Sequence, residues 1–253
     1  MSEPFIVHSH IPKTGGSALN RRVLFPMHGE HRVYQMYRYV FETASRLPQR
    51  HVARAMRSFV AVGHVPFGYF DGIYPDAIYI SVFREPVSRF ISFLNFVLAN
   101  PDHAVRQRLE PEVVANAENE PERFIEAVLS EPRLAVVHQN VQVRLAGGAP
   151  RLGEQSVTAD YLDQARRNLN RHQYITGVQE EMDALIARLW ERFPAMPEPK
   201  PGPASLEKRL KKTLSRQQLA PKMLDRLRSA NDLDLRLYDL VAGDRSPSMD
   251  RAA

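Results

Sequence analysis

The fold is predicted by one stretch of the sequence, FIVHSHIPKTGGSALNRRVL at residues 5–24. Its apolar start, Phe5–Val7, predicts a buried β-strand, and the residues from Ser17 to Leu24 predict a helix. Between them, Pro12 and two consecutive glycines predict a turn. A strand, a glycine-bearing turn and a helix in this order open many α/β nucleotide-binding folds.

Three more apolar runs predict the rest of the sheet, and they cover residues 59–63, 77–83 and 174–178. Near-continuous apolar strands of this kind are typical of a parallel sheet covered by helices on both faces. We therefore predict an α/β, P-loop-like fold of three layers. Its central, mostly parallel sheet has about four or five strands and is flanked by helices.

Helical patterns fill most of the sequence between these strands. Pro86 begins an amphipathic helix that ends before Pro101, and residues 34–56 predict a helix that breaks near Pro48. Further helices are predicted at about residues 122–129, 134–145, 158–170, 180–193, 216–231 and 232–241.

The chain is predicted to form a single domain over residues 1–243, followed by a flexible tail at 244–253. Five prolines between Pro194 and Pro203 predict an extended loop at 194–203, and the C-terminal helices are expected at 215–242.

Composition excludes several classes of function. The 253 residues include no cysteine, which excludes disulfides, thiolate catalysis and cysteine-bound metals. No apolar run approaches the roughly 20 residues that span a bilayer, and residues 1–7 lack a secretory leader pattern, so we expect a cytoplasmic protein without membrane insertion. The net charge of +5 fits an anionic ligand or an ordinary solvated basic surface.

The first turn carries the residue types that bind a phosphate or sulfate. Gly15 and Gly16 let several main-chain N–H groups point at one anion, and the following helix adds its positive N-terminal end. Lys13 supplies a full charge, while Thr14 and Ser17 supply hydroxyl groups. The lysine precedes the glycines, unlike in the nucleotide triphosphate loop, and no acid for magnesium is evident. A tight turn with an incidental lysine is the alternative.

A second motif follows the predicted strand at 77–83. Arg84 would lie at the edge of the sheet where the carboxyl ends of parallel strands meet, close to Lys13. Ser92, in the second turn of the next helix, could face the same anion. Alternatively, Arg84 and Arg89 are surface charges or pair with acids such as Glu85.

Together the two motifs resemble the sulfotransferases that use 3′-phosphoadenosine-5′-phosphosulfate (PAPS). The group includes the heparan sulfate and uronyl 2-O-sulfotransferases and bacterial relatives. The resemblance implies that PAPS is bound by Lys13, Thr14, Gly15, Gly16, Ser17, Arg84 and Ser92, the last two through the 3′-phosphate. Gly63-His64-Val65 resembles the family's Gly-His element, which implies that His64 is the catalytic base beside Lys13.

The resemblance continues toward the C-terminus. Residues 165–169 look like the family's A-x-x-N-L stretch, residues 177–180 like G-x-x-E, and residues 231–238 like N-x-x-D-x-x-L-Y. Glu85 stands where the family usually has aspartate, and residues 101–149 match poorly. Because acceptor contacts are expected in that region, the substrate is the less defined part of the prediction.

The resemblance also implies a mechanism and partners. Lys13 would stabilise charge on the departing phosphate, and His64 would take the acceptor's hydroxyl proton, without a metal. The expected acceptor is a glycan; neither nucleic acid nor a particular oligomeric state is indicated. A structural role for a buried His64 is the alternative reading of that residue.

Other readings stay open. The fold would also suit a kinase or another phosphotransferase, and the basic charge would suit a non-catalytic protein that binds RNA or an anionic glycan. The pairs His8/His10 and His28/His31 have a spacing seen in metal sites, though no third ligand is obvious. A basic run is either a loop over the nucleotide or a solvated surface, and it contains Lys200, Lys208, Arg209, Lys211 and Lys212.

Overall fold

A computed structural model describes residues 4–36, 55–148, 157–194 and 213–243. Its centre is a five-stranded sheet of order β2-β3-β1-β4-β5, in which every pair of neighbours is parallel. The strands are β1 Ile6–Ser9, β2 Val33–Met36, β3 Val60–Gly63, β4 Ile78–Phe83 and β5 Tyr174–Val178. The predicted α/β fold with a parallel sheet flanked by helices is confirmed.

Helices connect and cover these strands. In chain order they are α1 Gly16–Leu19, a π-helical turn Asn20–Leu24, α2 Phe25–His28, α3 Pro86–Ala99, α4 Ala104–Gln107, α5 Pro111–Ala115, α6 Pro121–Ser130, α7 Ala135–His138, α8 Val141–Ala146, α9 Ala159–Leu169, α10 Met182–Arg192, α11 Pro221–Ala230 and α12 Asp232–Gly243. Short 3-10 turns lie at Glu30–Arg32, Pro132–Leu134, Gln179–Glu181 and Arg216–Gln218.

Both faces of the sheet are buried by helices, and each strand sends alternate side chains to the two faces. On one face, residues such as Val7 and Tyr79 pack against α8, α9 and α12. On the other face, residues such as Ile6 and Ile80 pack against α1, the π-helical turn and α10. A separate apolar cluster forms around α3, with contributions from α6 and α11. The molecule is therefore layered as helix, sheet and helix, with α3 at the side.

Parallel pairing brings four chain segments to one edge of the sheet. Ser9 at the end of β1 is paired with Gly63 at the end of β3, and Phe83 at the end of β4 is paired with Val178 at the end of β5. The segments that follow these strands contain the first turn, His64, Arg84 and Gln179. This is the edge at which open parallel sheets bind their ligands.

Two of the helix predictions are wrong. The start of the helix predicted at residues 34–56 is strand β2, because Tyr34 and Met36 are buried and the segment pairs with β3; residues 37–54 lie outside the described part. The helix predicted at 134–145 is interrupted, since Asn140 takes a left-handed conformation with a φ of 47° between α7 and α8.

Several sequence features lie outside the described residues. They are most of the proline-rich loop at 194–203, the tail at 244–253, and the basic residues Lys200, Lys208, Arg209, Lys211 and Lys212. Within the described part, no helix is both long and apolar enough to cross a bilayer. The extent of the single domain stays a prediction.

Candidate functional site

The turn after β1 is curled by two left-handed residues, Lys13 with a φ of 68° and Gly15 with a φ of 88°. The Thr14 hydroxyl donates to the Ile11 carbonyl at 2.8 Å. In this conformation the Thr14 proton therefore holds the turn. The N–H groups of Ala18 and Leu19 donate to the Gly15 carbonyl at 2.9 and 3.4 Å, so Gly16 and Ser17 carry the leading N–H groups at the positive end of the helix. The turn has the form of an anion cradle.

Gly15 and Gly16 are required by close packing. A Cβ atom on Gly16 would lie 2.2 Å from Cδ2 of His10 and 2.8 Å from Cε1 of His8. A Cβ on Gly15 would lie 3.1 Å from Cε of Met182. The φ of Gly15 is also one that residues other than glycine rarely adopt. Larger residues would push the turn away from the strand edge.

The ammonium group of Lys13 lies against α3. Its Nζ is 4.7 Å from the centroid of the Phe96 ring, a cation–π distance. Ser92, half-buried, lies one turn earlier on the same helix, so Ser92 and Phe96 share a helix face. The lysine therefore points toward the face of α3 that carries the predicted serine.

Arg84 joins this group. Its guanidinium donates from NH1 to the main-chain oxygen of Lys13 at 3.1 Å. Its own N–H donates to Oε1 of Gln142 at 3.0 Å, and its carbonyl accepts from Nε2 of Gln142 at 2.9 Å. The guanidinium of the second motif thus contacts the main chain of the first motif, and the region around Lys13 and Arg84 is the candidate crevice. Gln142 is a contact that the sequence did not reveal.

The other charges of the second motif have structural roles. Glu85 caps α3, because its carboxylate accepts from the N–H groups of Val87 at 3.2 Å and Ser88 at 2.8 Å. It also lies 3.6 Å from the guanidinium of Arg216. Arg89 is not a surface charge: its side chain is fully buried and donates to the His138 carbonyl at 2.9 Å.

His64 is held in one orientation at the end of β3. Its Nδ1 lies 2.6 Å from the carbonyl oxygen of His10, which can only accept, so the Nδ1 atom carries the proton. Nε2 is then the atom able to accept a proton. Burial lowers the pKa of His64, and the bond to His10 opposes that shift. The hydroxyl of Ser9 donates to the Val65 carbonyl at 2.6 Å and fixes the next residue.

Three histidine rings form a row beneath the turn. The centroid of His10 lies 5.1 Å from that of His8 and 5.2 Å from that of His64. His8 Nδ1 donates to Oδ1 of Asn20 at 2.5 Å, across the π-helical turn. Burial lowers the pKa of His8 to about 4 and the pKa of His10 well below its ordinary value, with the nearby Lys13 charge a smaller cause for His10. The row is neutral at pH 7. No group of three potential metal ligands occurs among the described residues.

Residues 231–238, which resemble a C-terminal stretch of the family, hold the segment that carries Gln142. Asp234, fully buried, accepts from the N–H groups of Gln142 at 3.1 Å and Val143 at 2.7 Å. Asn231 Oδ1 accepts from the Asn140 N–H at 3.1 Å. The N-terminus of α8 is therefore capped by side chains at the N-terminal end of α12 and just before it.

Two further contacts tie these stretches together. Asn168, in the stretch at 165–169, donates to the Ala146 carbonyl at 2.7 Å and holds the end of α8. Tyr238 forms a hydrogen bond with Glu180, and its pKa is raised to about 12, first by burial and then by the charge of Glu180. The matched stretches thus lie around α8 and the end of β5.

A cavity of about 450 Å³ lies at the opposite edge of the sheet, where the strands begin. Its lining includes Phe5, Phe59 and Tyr74, and none of the predicted site residues. It does not belong to the crevice at Lys13 and Arg84.

The comparisons with known proteins add a likeness of fold. No family model and no curated protein matches the sequence. Among solved structures, a sulfotransferase from Alicyclobacillus acidocaldarius matches with a TM-score of 0.53 and 17% identity. The match covers 96% of this chain and 97% of that chain. At this identity the match shows that the chain has the fold of that sulfotransferase, and the chemistry must be argued from the site.

Proposed function

We propose that this protein is a sulfotransferase that moves a sulfuryl group from PAPS to a hydroxyl group of a carbohydrate. One observation carries the proposal: the Arg84 guanidinium donates to the Lys13 carbonyl at 3.1 Å. The two motifs that resemble the 5′-phosphosulfate and 3′-phosphate elements of the PAPS-dependent sulfotransferases therefore contact each other, which supports a shared nucleotide site. The likeness to a sulfotransferase over nearly the whole chain supports the same reading.

The residues of the crevice fit a bisphosphorylated nucleotide. A Cβ on Gly15 would crowd Met182 and a Cβ on Gly16 would collide with His10, so the two glycines let the turn keep its curl, and Lys13 adds a full positive charge to it. Lys13, Thr14, Gly15, Gly16 and Ser17 would hold the 5′-phosphosulfate, with main-chain N–H groups as the main donors. Arg84 and Ser92 would hold the 3′-phosphate.

The protein's own groups supply positioning, charge and a base. PAPS brings a sulfuryl group that is activated by its bond to a phosphate. Lys13 stabilises the negative charge that grows on this phosphate. His64 accepts the proton of the acceptor hydroxyl at Nε2, since its Nδ1 is held by the His10 carbonyl. Its lowered pKa keeps the imidazole neutral at pH 7 and ready to accept that proton.

The carbohydrate acceptor is proposed from the resemblance to the heparan sulfate and uronyl 2-O-sulfotransferases. A hydroxyl of a uronic acid in a bacterial surface or secreted glycan is the first acceptor to test. His64 places the reacting hydroxyl at the carboxyl end of β3, beside the Lys13 turn.

The direct test is transfer of radiolabelled sulfate from PAPS to a panel of glycans, peptides and small alcohols, with and without magnesium. We expect labelled glycan without added metal, and tight binding of adenosine 3′,5′-bisphosphate by calorimetry. The variant Lys13→Ala should lose transfer. Binding of magnesium–ATP in preference to the bisphosphate would instead identify a phosphotransferase. Salt-sensitive RNA binding without nucleotide affinity would identify a basic binding protein.

A further inference from the structure

The side chain of Gln142 is fully buried, and both ends of its carboxamide bond to the main chain of Arg84. Oε1 accepts from the Arg84 N–H at 3.0 Å, and Nε2 donates to the Arg84 carbonyl at 2.9 Å. Arg84 directly follows Phe83, the last residue of β4 paired with β5. The carboxamide therefore takes the place of a neighbouring strand just where the sheet ends, and fixes the main chain of one residue.

Gln142 is itself held firmly. Its N–H donates to Oδ2 of Asp234 at 3.1 Å, and that carboxylate also holds Val143. Four residues earlier, the carbonyl of His138 accepts from the buried Arg89 of α3 at 2.9 Å. Hydrogen bonds thus connect the segment that carries Gln142 to Asp234 of α12 and to Arg89 of α3.

The Arg84 side chain connects the segment of Gln142 to the turn that contains Lys13. With its main chain fixed by Gln142, its guanidinium donates to the Lys13 carbonyl at 3.1 Å. A continuous series of hydrogen bonds therefore links Asp234, Gln142, Arg84 and Lys13. Its links join segments that are far apart in the sequence, so it depends on the complete fold.

We propose that Gln142 is a positioning residue for Arg84, and that its carboxamide sets the guanidinium for recognition of the 3′-phosphate. This inference rests on the proposed function, in which Arg84 binds that phosphate. An arginine side chain is long and loses much rotational freedom when it is held, so fixing its main chain lowers the cost of ordering it on binding. Without Gln142, the Arg84 N–H and carbonyl would lack these partners and the peptide could turn.

The test compares two nucleotides in the variant Gln142→Met, which keeps the side-chain length and removes both hydrogen bonds. Affinities for adenosine 3′,5′-bisphosphate and adenosine 5′-monophosphate are measured by calorimetry on the full chain. We expect the bisphosphate to bind about tenfold more weakly than to the parent. The monophosphate, which lacks the 3′-phosphate, should stay within about twofold of the parent.

Two further variants make the comparison specific. In Gln142→Glu an ionised carboxylate keeps an acceptor for the Arg84 N–H but sets its other oxygen against the Arg84 carbonyl, so its loss should be at least as large as that of Gln142→Met. The matched control is Gln173→Met, because Gln173 also donates from its carboxamide to a main-chain carbonyl, that of Pro75, but at the start of β5. The control should bind both nucleotides like the parent.

The outcomes separate this inference from the proposed function. A folded Gln142→Met protein that keeps the parent's preference for the bisphosphate overturns the inference alone. Equal weakening of both nucleotides also overturns it, because a general loosening of the site would do that. A parent protein that binds neither nucleotide overturns the proposed function and this inference with it. Folding of each variant is checked by circular dichroism and thermal unfolding.

Discussion

At the scale of single residues, the candidate crevice brings two positive side chains near three histidines with lowered pKa values. The Arg84 guanidinium contacts the Lys13 main chain, while the rings of the buried His8 and His10 and the partly buried His64 form a row. Burial is the main cause of the lowered pKa of each of these histidines. It disfavours the protonated imidazole, and the nearby Lys13 charge adds to this effect at His10. The proposed role of His64 as a base requires such a neutral imidazole near pH 7.

The role of His64 is tested by the variant His64→Ala. We expect kcat to fall by about 10²-fold or more, the usual effect of losing a general base, while affinity for adenosine 3′,5′-bisphosphate is retained. Steady-state sulfate transfer and calorimetry measure the two effects. The control is His172→Ala, a change at an exposed histidine. A rate within a few-fold of the parent would leave His64 with a structural role only.

Packing at Gly16 predicts a loss of stability for the variant Gly16→Ala, because the added Cβ would lie 2.2 Å from Cδ2 of His10. We expect about 1–3 kcal/mol of destabilisation and weaker nucleotide binding. Urea unfolding measures the first effect and calorimetry the second. Gly72→Ala is the control, since a Cβ there meets no atom within 4 Å. Parent-like stability of Gly16→Ala would mean that the histidine row can shift.

The buried histidines also predict how stability depends on pH. In the fold, burial lowers the pKa of His8 and of His138 to about 4. The unfolded chain binds protons at these residues near pH 6.5, so it holds more protons than the fold between pH 6.5 and about 4. The free energy of unfolding should therefore be largest above pH 6.5 and fall as the pH is lowered through this window.

Urea unfolding at a series of pH values measures this slope. The variant His138→Gln removes one of the titrating groups and should give a flatter curve than the parent. A free energy of unfolding that stays constant from pH 6.5 to pH 5 would contradict the stated pKa shifts.

At the scale of elements, the crevice depends on how helices are capped. Glu85 caps α3 with two hydrogen bonds, and Asp234 caps α8 with two more. Asn95 of α3 holds both the N–H and the carbonyl of Leu214, at 2.9 Å and 2.8 Å. At these three places side chains replace main-chain partners, which keeps the adjoining segments in place.

The capping role of Asp234 predicts a large effect for Asp234→Ala. The change leaves two buried N–H groups unsatisfied and removes the acid that lies near the buried Arg89, so we expect about 2–4 kcal/mol of destabilisation. Chemical unfolding measures the effect. Asp232→Ala, on the same helix but exposed, should cost less than about 1 kcal/mol. Similar losses for both variants would contradict the capping role.

At the scale of the whole molecule, the sequence predicted the sheet better than the details of the site. Strands β1, β3, β4 and β5 were predicted because their apolar runs are nearly continuous. Strand β2 was missed, since its four residues become a strand through pairing with β3. The contact of Gln142 with Arg84 joins positions 58 residues apart, and no local pattern reveals such a contact. The roles predicted for Lys13, Arg84, Ser92 and His64 stay predictions.

If the crevice binds the nucleotide, the whole fold should be stabilised by it. Adenosine 3′,5′-bisphosphate at 100 times its dissociation constant should raise the free energy of unfolding by about 2.7 kcal/mol, because only the folded state contains the site. A thermal shift that grows with ligand concentration, without magnesium, is the expected readout. Arg84→Ala should reduce the shift, and an equal shift in that variant would mean that the ligand binds elsewhere.

The cap that α12 provides for α8 has a consequence for the order of biosynthesis. The Lys13 turn leaves the ribosome early, but Asn231 and Asp234 emerge more than 200 residues later. Until they dock, the segment that holds Arg84 lacks its support, so a nucleotide site that depends on Arg84 should be incomplete in the nascent chain. Premature termination before α12 would therefore yield a product that keeps the turn, Lys13 and Arg84 but lacks the cap on α8, and if the crevice binds a nucleotide, that product should bind it weakly.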